Sequence, residues 1–196
     1  RLDRPVPARE IGLNSPWDLV VVGDTIYLAM AGHHQIWAYD IVKKEIAPYA
    51  GSGRENIRDG PLPFSNFAQP SGLARHGRFV LVADSEVSSI RAIDLEDEKV
   101  RTIVGRGLFD FGDRDGAPET VRLQHPLDVA AGAEALYVAD TYNNKIKAIA
   151  YGSMETRTLF GDGSPGTLHE PGGLAVAGST LYIADMYRGI IEHRLS

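Results

Sequence analysis

The chain has 196 residues, 43% of them hydrophobic and 23% charged, with 26 acidic against 20 basic side chains and a formal net charge of −6. That is enough apolar material for one domain with its own core, and too much for a disordered chain. The absence of cysteine excludes disulfides, thiolate nucleophiles and cysteine-ligated zinc within this segment. The apolar runs are strand-sized, too short for a membrane-crossing helix, and the first residues lack the charged-then-apolar pattern of a signal peptide. Basic residues are scattered among carboxylates rather than clustered, which weighs against a nucleic-acid surface.

Read in order, the chain repeats itself. Pro16, Pro70, Pro126 and Pro171 are each followed by an alanine thirteen residues later, at Ala29, Ala83, Ala139 and Ala184. An isoleucine follows seven residues after that, at Ile36, Ile90, Ile146 and Ile191. Three copies close with Gly-x-Gly, beginning at Gly51, Gly105 and Gly161, each thirty-five residues after its proline. The fourth copy ends at Ser196 before that point. The repeats run over about 14–53, 69–107, 125–163 and 170–196. An internal spacing held from copy to copy marks one supersecondary unit, too small to bury its own apolar face and therefore stacked on its neighbours.

Within a copy the text is short, β-branched and alternating, as in Phe79-Val80-Leu81-Val82-Ala83, Ser89-Ile90-Arg91-Ala92-Ile93 and Val100-Arg101-Thr102-Ile103-Val104. These are predicted strands. About four strands in about forty residues is the length of a propeller blade. The expectation is therefore an all-β propeller of four-stranded antiparallel blades, three complete and one partial. The aspartate after the alanine, Asp84, Asp140 or Asp185, opens a polar turn and is expected to accept the backbone N–H groups of that turn. Two long connections, 54–69 and 108–125, each contain an Asp-Gly step, and the second carries Phe109 and Phe111. The matching steps read as serving the fold, and the phenylalanines are expected to tuck beneath the neighbouring blade. The Gly-x-Gly segments precede loops, not helices, so they read as blade-exit turns and not as phosphate cradles.

The run Tyr137-Val138-Ala139-Asp140-Thr141-Tyr142-Asn143-Asn144-Lys145-Ile146-Lys147 resembles the signature of the NHL repeat, a blade unit of six-bladed β-propellers. Ala29-Met30-Ala31-Gly32-His33-His34-Gln35-Ile36-Trp37, Phe67-Ala68-Gln69-Pro70-Ser71-Gly72-Leu73, Phe109-Asp110-Phe111-Gly112-Asp113-Arg114-Asp115-Gly116 and Glu170-Pro171-Gly172-Gly173-Leu174 are similar to the thioredoxin-linked NHL-repeat proteins. The resemblance implies an arc of a six-bladed ring, the later part of a longer chain with a thioredoxin-like domain before it. Arg1 in place of an initiator methionine agrees with that. It also implies a cytoplasmic location and, where blade edges are open, self-association.

Candidate functional residues follow from departures within the repeat. Copy one has Met30-Ala31-Gly32-His33-His34 where copies two and three begin the turn with aspartate. Adjacent strand residues face opposite ways, so His33 and His34 are a poor pair of ligands for one ion. Asp18 and Asp128 share one slot, filled by Gly72 and Gly173 in the other copies, and that slot lies near a propeller's central channel. Two carboxylates are weak candidates for calcium, which prefers six or more oxygens. The leading reading is a non-catalytic scaffold for a protein or peptide partner, with the turn residues His33, His34, Glu86, Tyr142, Asn143, Tyr187 and Arg188 as the contact face. The alternatives are a metal-dependent six-bladed propeller enzyme of lactonase or lyase type, or an extracytoplasmic sensor domain.

Overall fold

The computed structural model describes residues 4–195. Its four antiparallel sheets are the four repeats. The first contains β2 (Pro16–Val22), β3 (Thr25–Met30), β4 (Gln35–Asp40) and β5 (Glu45–Ala50), with β1 (Val6–Pro7) on its outer edge. The second contains β7 (Pro70–His76), β8 (Phe79–Asp84), β9 (Ser89–Asp94) and β10 (Lys99–Val104), with β6 (Gly60–Pro61) outermost. The third runs β11 (Asp128–Ala131), β12 (Ala135–Asp140), β13 (Lys145–Ala150) and β14 (Thr156–Phe160), and the fourth β15 (Pro171–Ala177), β16 (Thr180–Asp185) and β17 (Gly189–Arg194). Apart from the outermost β1 and β6, which pair with β5 and β10, each sheet is a meander in which successive strands pair, the lowest-cost way to close short loops.

The innermost strands pack in series, β2 on β7, β7 on β11 and β11 on β15. Between blades lie apolar layers. Ile36, Phe67, Val80 and Ile93 fill the first, Leu81, Ile90, Leu123 and Leu136 the second, and Ile146, Leu168, Leu181 and Ile183 the third. No blade could bury these faces alone, so the stacking that the period implies is also the main source of stability. At the ends of the series Trp17, Leu19 and Val21 on β2 and Ile190 on β17 are exposed.

The first glycine of each Gly-x-Gly has a steric cause. Gly51, Gly105 and Gly161 have φ of +100°, +94° and +93°. A Cβ there would meet the carbonyl oxygen of His34, Ser88 or Asn144 at 2.8, 2.4 or 2.5 Å. Any larger residue is excluded at the point where the outer strand passes over the turn of its own blade.

Segment 4–13 takes a place other than the one open to it in the fourth blade. Val6 and Pro7 pair with Ile46 and Glu45 of β5, and residues 8–10 form a short 3-10 turn. Residues 9–13 do not join the fourth sheet, which among the described residues is β15, β16 and β17 alone. Val6 and Ile11 pack with Met30, Trp37 and Ile46, an apolar seat that the fourth blade does not offer. The loop phenylalanines also differ from expectation. Phe109 is 94% exposed and Phe111 55%, because the space beneath the loop is already filled by Val121 and Leu123.

Candidate binding face

The turn between the second and third strands of a blade lies at the same end of the molecule as the entry to the innermost strand. Backbone bonds fix this, from Ala31 to Ser15, Ser85 to Gln69 and Tyr142 to Gln124. The repeated aspartates hold the two together. Asp84 accepts the N–H groups of Ala68 and Gln69 at 2.9 and 3.0 Å, and Asp140 that of Gln124 at 2.7 Å. Asp185 accepts from His169 at 2.6 Å and also from Tyr187 and Arg188 in its own turn. Only Asp185 thus caps the turn it opens. Asp84 and Asp140 reach back sixteen residues to the chain entering the blade.

On this base the candidate residues divide. Glu86, Tyr142, Tyr187 and Arg188 are exposed, and His33, His34 and Asn143 are half-buried and engaged. His33 stacks on Trp37 with ring centres 5.2 Å apart. His34 donates through Nδ1 to the Ala68 carbonyl, tying the first blade to the second. Asn143 spends its amide on the Gly112 carbonyl and the Asp140 carboxylate, at 2.7 and 2.8 Å. Arg188 reaches the Pro165 carbonyl at 3.3 Å.

Two residues absent from that set belong to the face. His125 stacks on Tyr142 with centres 4.5 Å apart and planes 15° from parallel, and His169 stacks on Tyr187 at 4.0 Å. The signal was in the repeat, since both tyrosines stand sixteen residues after their proline (142−126 and 187−171) and a histidine immediately precedes or nearly precedes each proline. Burial holds the His125 imidazole below its ordinary value, with the Glu86 carboxylate pulling the other way. Leu108 and Phe111, from the loop after the Gly-x-Gly, join Glu86, His125 and Tyr142 around a notch of about 160 Å³.

At the centre, Asp18 and Asp128 are brought towards one another around Ser71 and Gly72. Asp18 accepts from Leu73 of the next blade at 2.7 Å and from Leu19 at 2.7 Å. Asp128 accepts from Leu174 of the next blade at 2.6 Å and from Val129 at 2.8 Å. A Cβ on Gly72 would sit 2.1 Å from Asp128 Oδ1, so glycine is required at that copy of the slot. Burial, against the bonds from Leu174 and Val129 and with the Asp18 charge adding to it, pushes the Asp128 carboxyl up to about 7. Each carboxylate works as a staple between blades. Among the described residues, no three histidine or carboxylate side chains gather as a metal site.

Four-stranded meanders packed side by side along their innermost strands define a β-propeller. No family model matches the chain. It is 38% identical over 203 residues to protein SUPPRESSOR OF QUENCHING 1, chloroplastic, of Arabidopsis thaliana, covering 92% of this chain and 19% of that protein. It is also 38% identical over 216 residues to NHL repeat-containing protein 2 of Homo sapiens, covering 88% of this chain and 30% of that protein. With the repeat signature, these relatives place the chain among the NHL-repeat β-propellers. It spans less than a third of the length of either relative. Among solved structures, an auxiliary nutrient binding protein from Bacteroides thetaiotaomicron superposes with a TM-score of 0.66 at 17% identity, over 86% of this chain and 44% of that one. The computationally designed Ika4 protein gives 0.60 at 10% identity over 95% of each. These two likenesses concern the fold alone.

Proposed function

We propose that this propeller is a binding scaffold that presents its turn face to a protein or peptide partner. The segment belongs, on this reading, to a longer protein in which it positions a thioredoxin-like domain or that domain's substrates. One observation carries the reading. Tyr142 and Tyr187 expose 54% and 66% of their surface, yet each ring is already stacked on a histidine. Each stands beside a turn that a buried aspartate bonds to the incoming chain. Large aromatic surface held rigid before binding loses little entropy on association, which is what interface anchors require. Phe111, also exposed, lines the notch with Tyr142, and exposed Met186 adjoins Tyr187 in the chain.

The test is partner capture with the chain and with a Tyr142→Ala/Tyr187→Ala variant whose melting temperature matches the parent. Bound proteins should be lost from the double variant and retained by an Arg157→Ala control, whose side chain lies elsewhere. Identical capture by all three proteins would remove the turn face as the binding surface.

A further inference from the structure

Resting on the turn face as a binding surface, we propose that the notch between Glu86 and Tyr142 receives an arginine side chain of the bound peptide. The notch combines a carboxylate with aromatic and aliphatic walls. Glu86 stands at the sixteenth position after Pro70 (86−70), where the other copies have Gly32, Tyr142 and Tyr187. Three blades fold without an acid there, so the blade does not require one. No lysine or arginine among the described residues lies within ion-pair distance of Glu86. Its charged neighbour is the His125 imidazole, with Nδ1 3.8 Å away. Burial disfavours the charged form of that ring, which makes it a poor counter-charge for the carboxylate.

Two of the other polar side chains of the notch are engaged, and Gln124 also lines it. Ser85 Oγ donates to the Pro126 carbonyl at 2.8 Å, and Ser88 Oγ accepts the His125 N–H at 3.2 Å. Leu108, Phe111 and Tyr142 supply apolar walls, and the Tyr142 ring is fixed by its stack on His125. A guanidinium is flat, weakly hydrated and a fork of donors. It can lie on an aromatic face while bonding a carboxylate in its plane, which an ammonium does less well. The charge of the notch and its shape thus call for the same group.

The test uses the 196-residue chain with the peptides acetyl-Gly-Arg-Gly-amide and acetyl-Gly-citrulline-Gly-amide, followed by NMR titration. Citrulline keeps the shape of arginine and removes its charge. The arginine peptide should bind about five- to tenfold more tightly, the size expected of one charge-assisted, aromatic-backed contact. Shifts should centre on Glu86, Phe111 and Tyr142. Glu86→Gln, an exposed substitution that should leave the melting temperature unchanged, should abolish the preference. Equal affinity for the two peptides, or a preference that survives Glu86→Gln, would overturn the proposal. That result would leave the capture experiment on Tyr142 and Tyr187 to decide the wider reading on its own.

Discussion

Blades two and three place a buried cation at the same position and use it differently. Arg91 and Lys147 both stand twenty-one residues after their proline (91−70 and 147−126), and both are fully buried. Each reaches an aspartate of the long loop, Asp59 or Asp115. That aspartate in turn accepts the N–H and hydroxyl of a threonine on the outer strand, Thr102 or Thr158. The shared design clamps the loop to the blade. Arg91 extends it inwards, with Nη1 bonding Asp84 at 3.0 Å and the Asn66 carbonyl at 2.9 Å, and Nη2 bonding Asp59 at 2.9 Å and the Arg58 carbonyl at 3.2 Å. Its Nε is buried without a partner, and its guanidinium lies 5.2 Å from the Phe67 ring centre. Lys147 bonds Asp113, Asp115 and Thr158 and leaves Asp140 to Asn143 and Gln124.

Blade one shows what the clamp replaces. Trp37 stands at the cation's position (37−16 = 21) and Met30 at the aspartate's (30−16 = 14). The outer segment there is seated by an apolar cluster of Val6, Ile11, Met30, Trp37 and Ile46. Ionic and apolar clamps are therefore alternatives in one fold, as the cost of removing charges from water leads one to expect.

Removing the cation is the severest way to test the difference between blades two and three. Arg91→Met strands Asp84, whose carboxylate is fully buried, and should cost about 3–5 kcal/mol, the usual penalty for a buried pair that loses one member. Lys147→Met leaves Asp113 its ion pair with Lys145 and strands Asp115, whose side chain is 41% exposed and can recover water. Its cost should be about 1–3 kcal/mol. Urea unfolding of the two variants measures both, and equal losses would mean that Asp84 adds nothing to the clamp of blade two.

How much of this was legible in sequence follows from which interactions are local. The proline, alanine and glycine landmarks report backbone requirements inside one blade, and the clash that Gly105 avoids recurs in each of the three complete copies. Asp18 and Asp128 share a repeat position, but their partners, Leu73 and Leu174 N–H, lie in the next blade and leave no mark on the repeat. Arg91 and Lys147 read as the solvent side of alternating strands, whereas β9 and β13 are covered on both faces. The coincidence of a cation here with an Asp-Gly step in the preceding loop was the missed signal. Phe109 and Phe111 failed for a different reason, since sequence could not show that Val121 and Leu123 had taken the space beneath them.

Exchanging the cations sharpens the comparison at smaller cost. Arg91→Lys loses the fork that reaches two carbonyls and two carboxylates at once, and should destabilise by about 1–2 kcal/mol. Lys147→Arg meets half-exposed carboxylates able to adjust, and should stay within about 1 kcal/mol of the parent. A larger loss for Lys147→Arg than for Arg91→Lys, in the same unfolding measurement, would mean that packing rather than donor geometry selects the cation in each blade.

The finest distinction concerns protons. Burial pushes the Asp84 carboxyl up, against the charge of Arg91, and it pushes the Asp140 carboxyl up to about 7, against the bonds from Asn143 and Gln124 and the charge of Lys147. In the unfolded chain an aspartate titrates near ~4. The folded state therefore holds this proton more tightly, and the stability the proton confers is full below about pH 4 and is lost as pH rises towards about 7. Asp140→Asn keeps an oxygen acceptor for the Gln124 N–H and removes the titration. Relative to the parent it should fare better at about pH 8 than at about pH 5, by on the order of 1–3 kcal/mol. Asp84→Asn should also be costly, since Asp84 is bonded directly to Arg91 and its replacement leaves that guanidinium without its buried counter-charge. If Asp140→Asn showed the same loss at both pH values, Asp140 would be ionised throughout, with Lys147 compensating it across the gap.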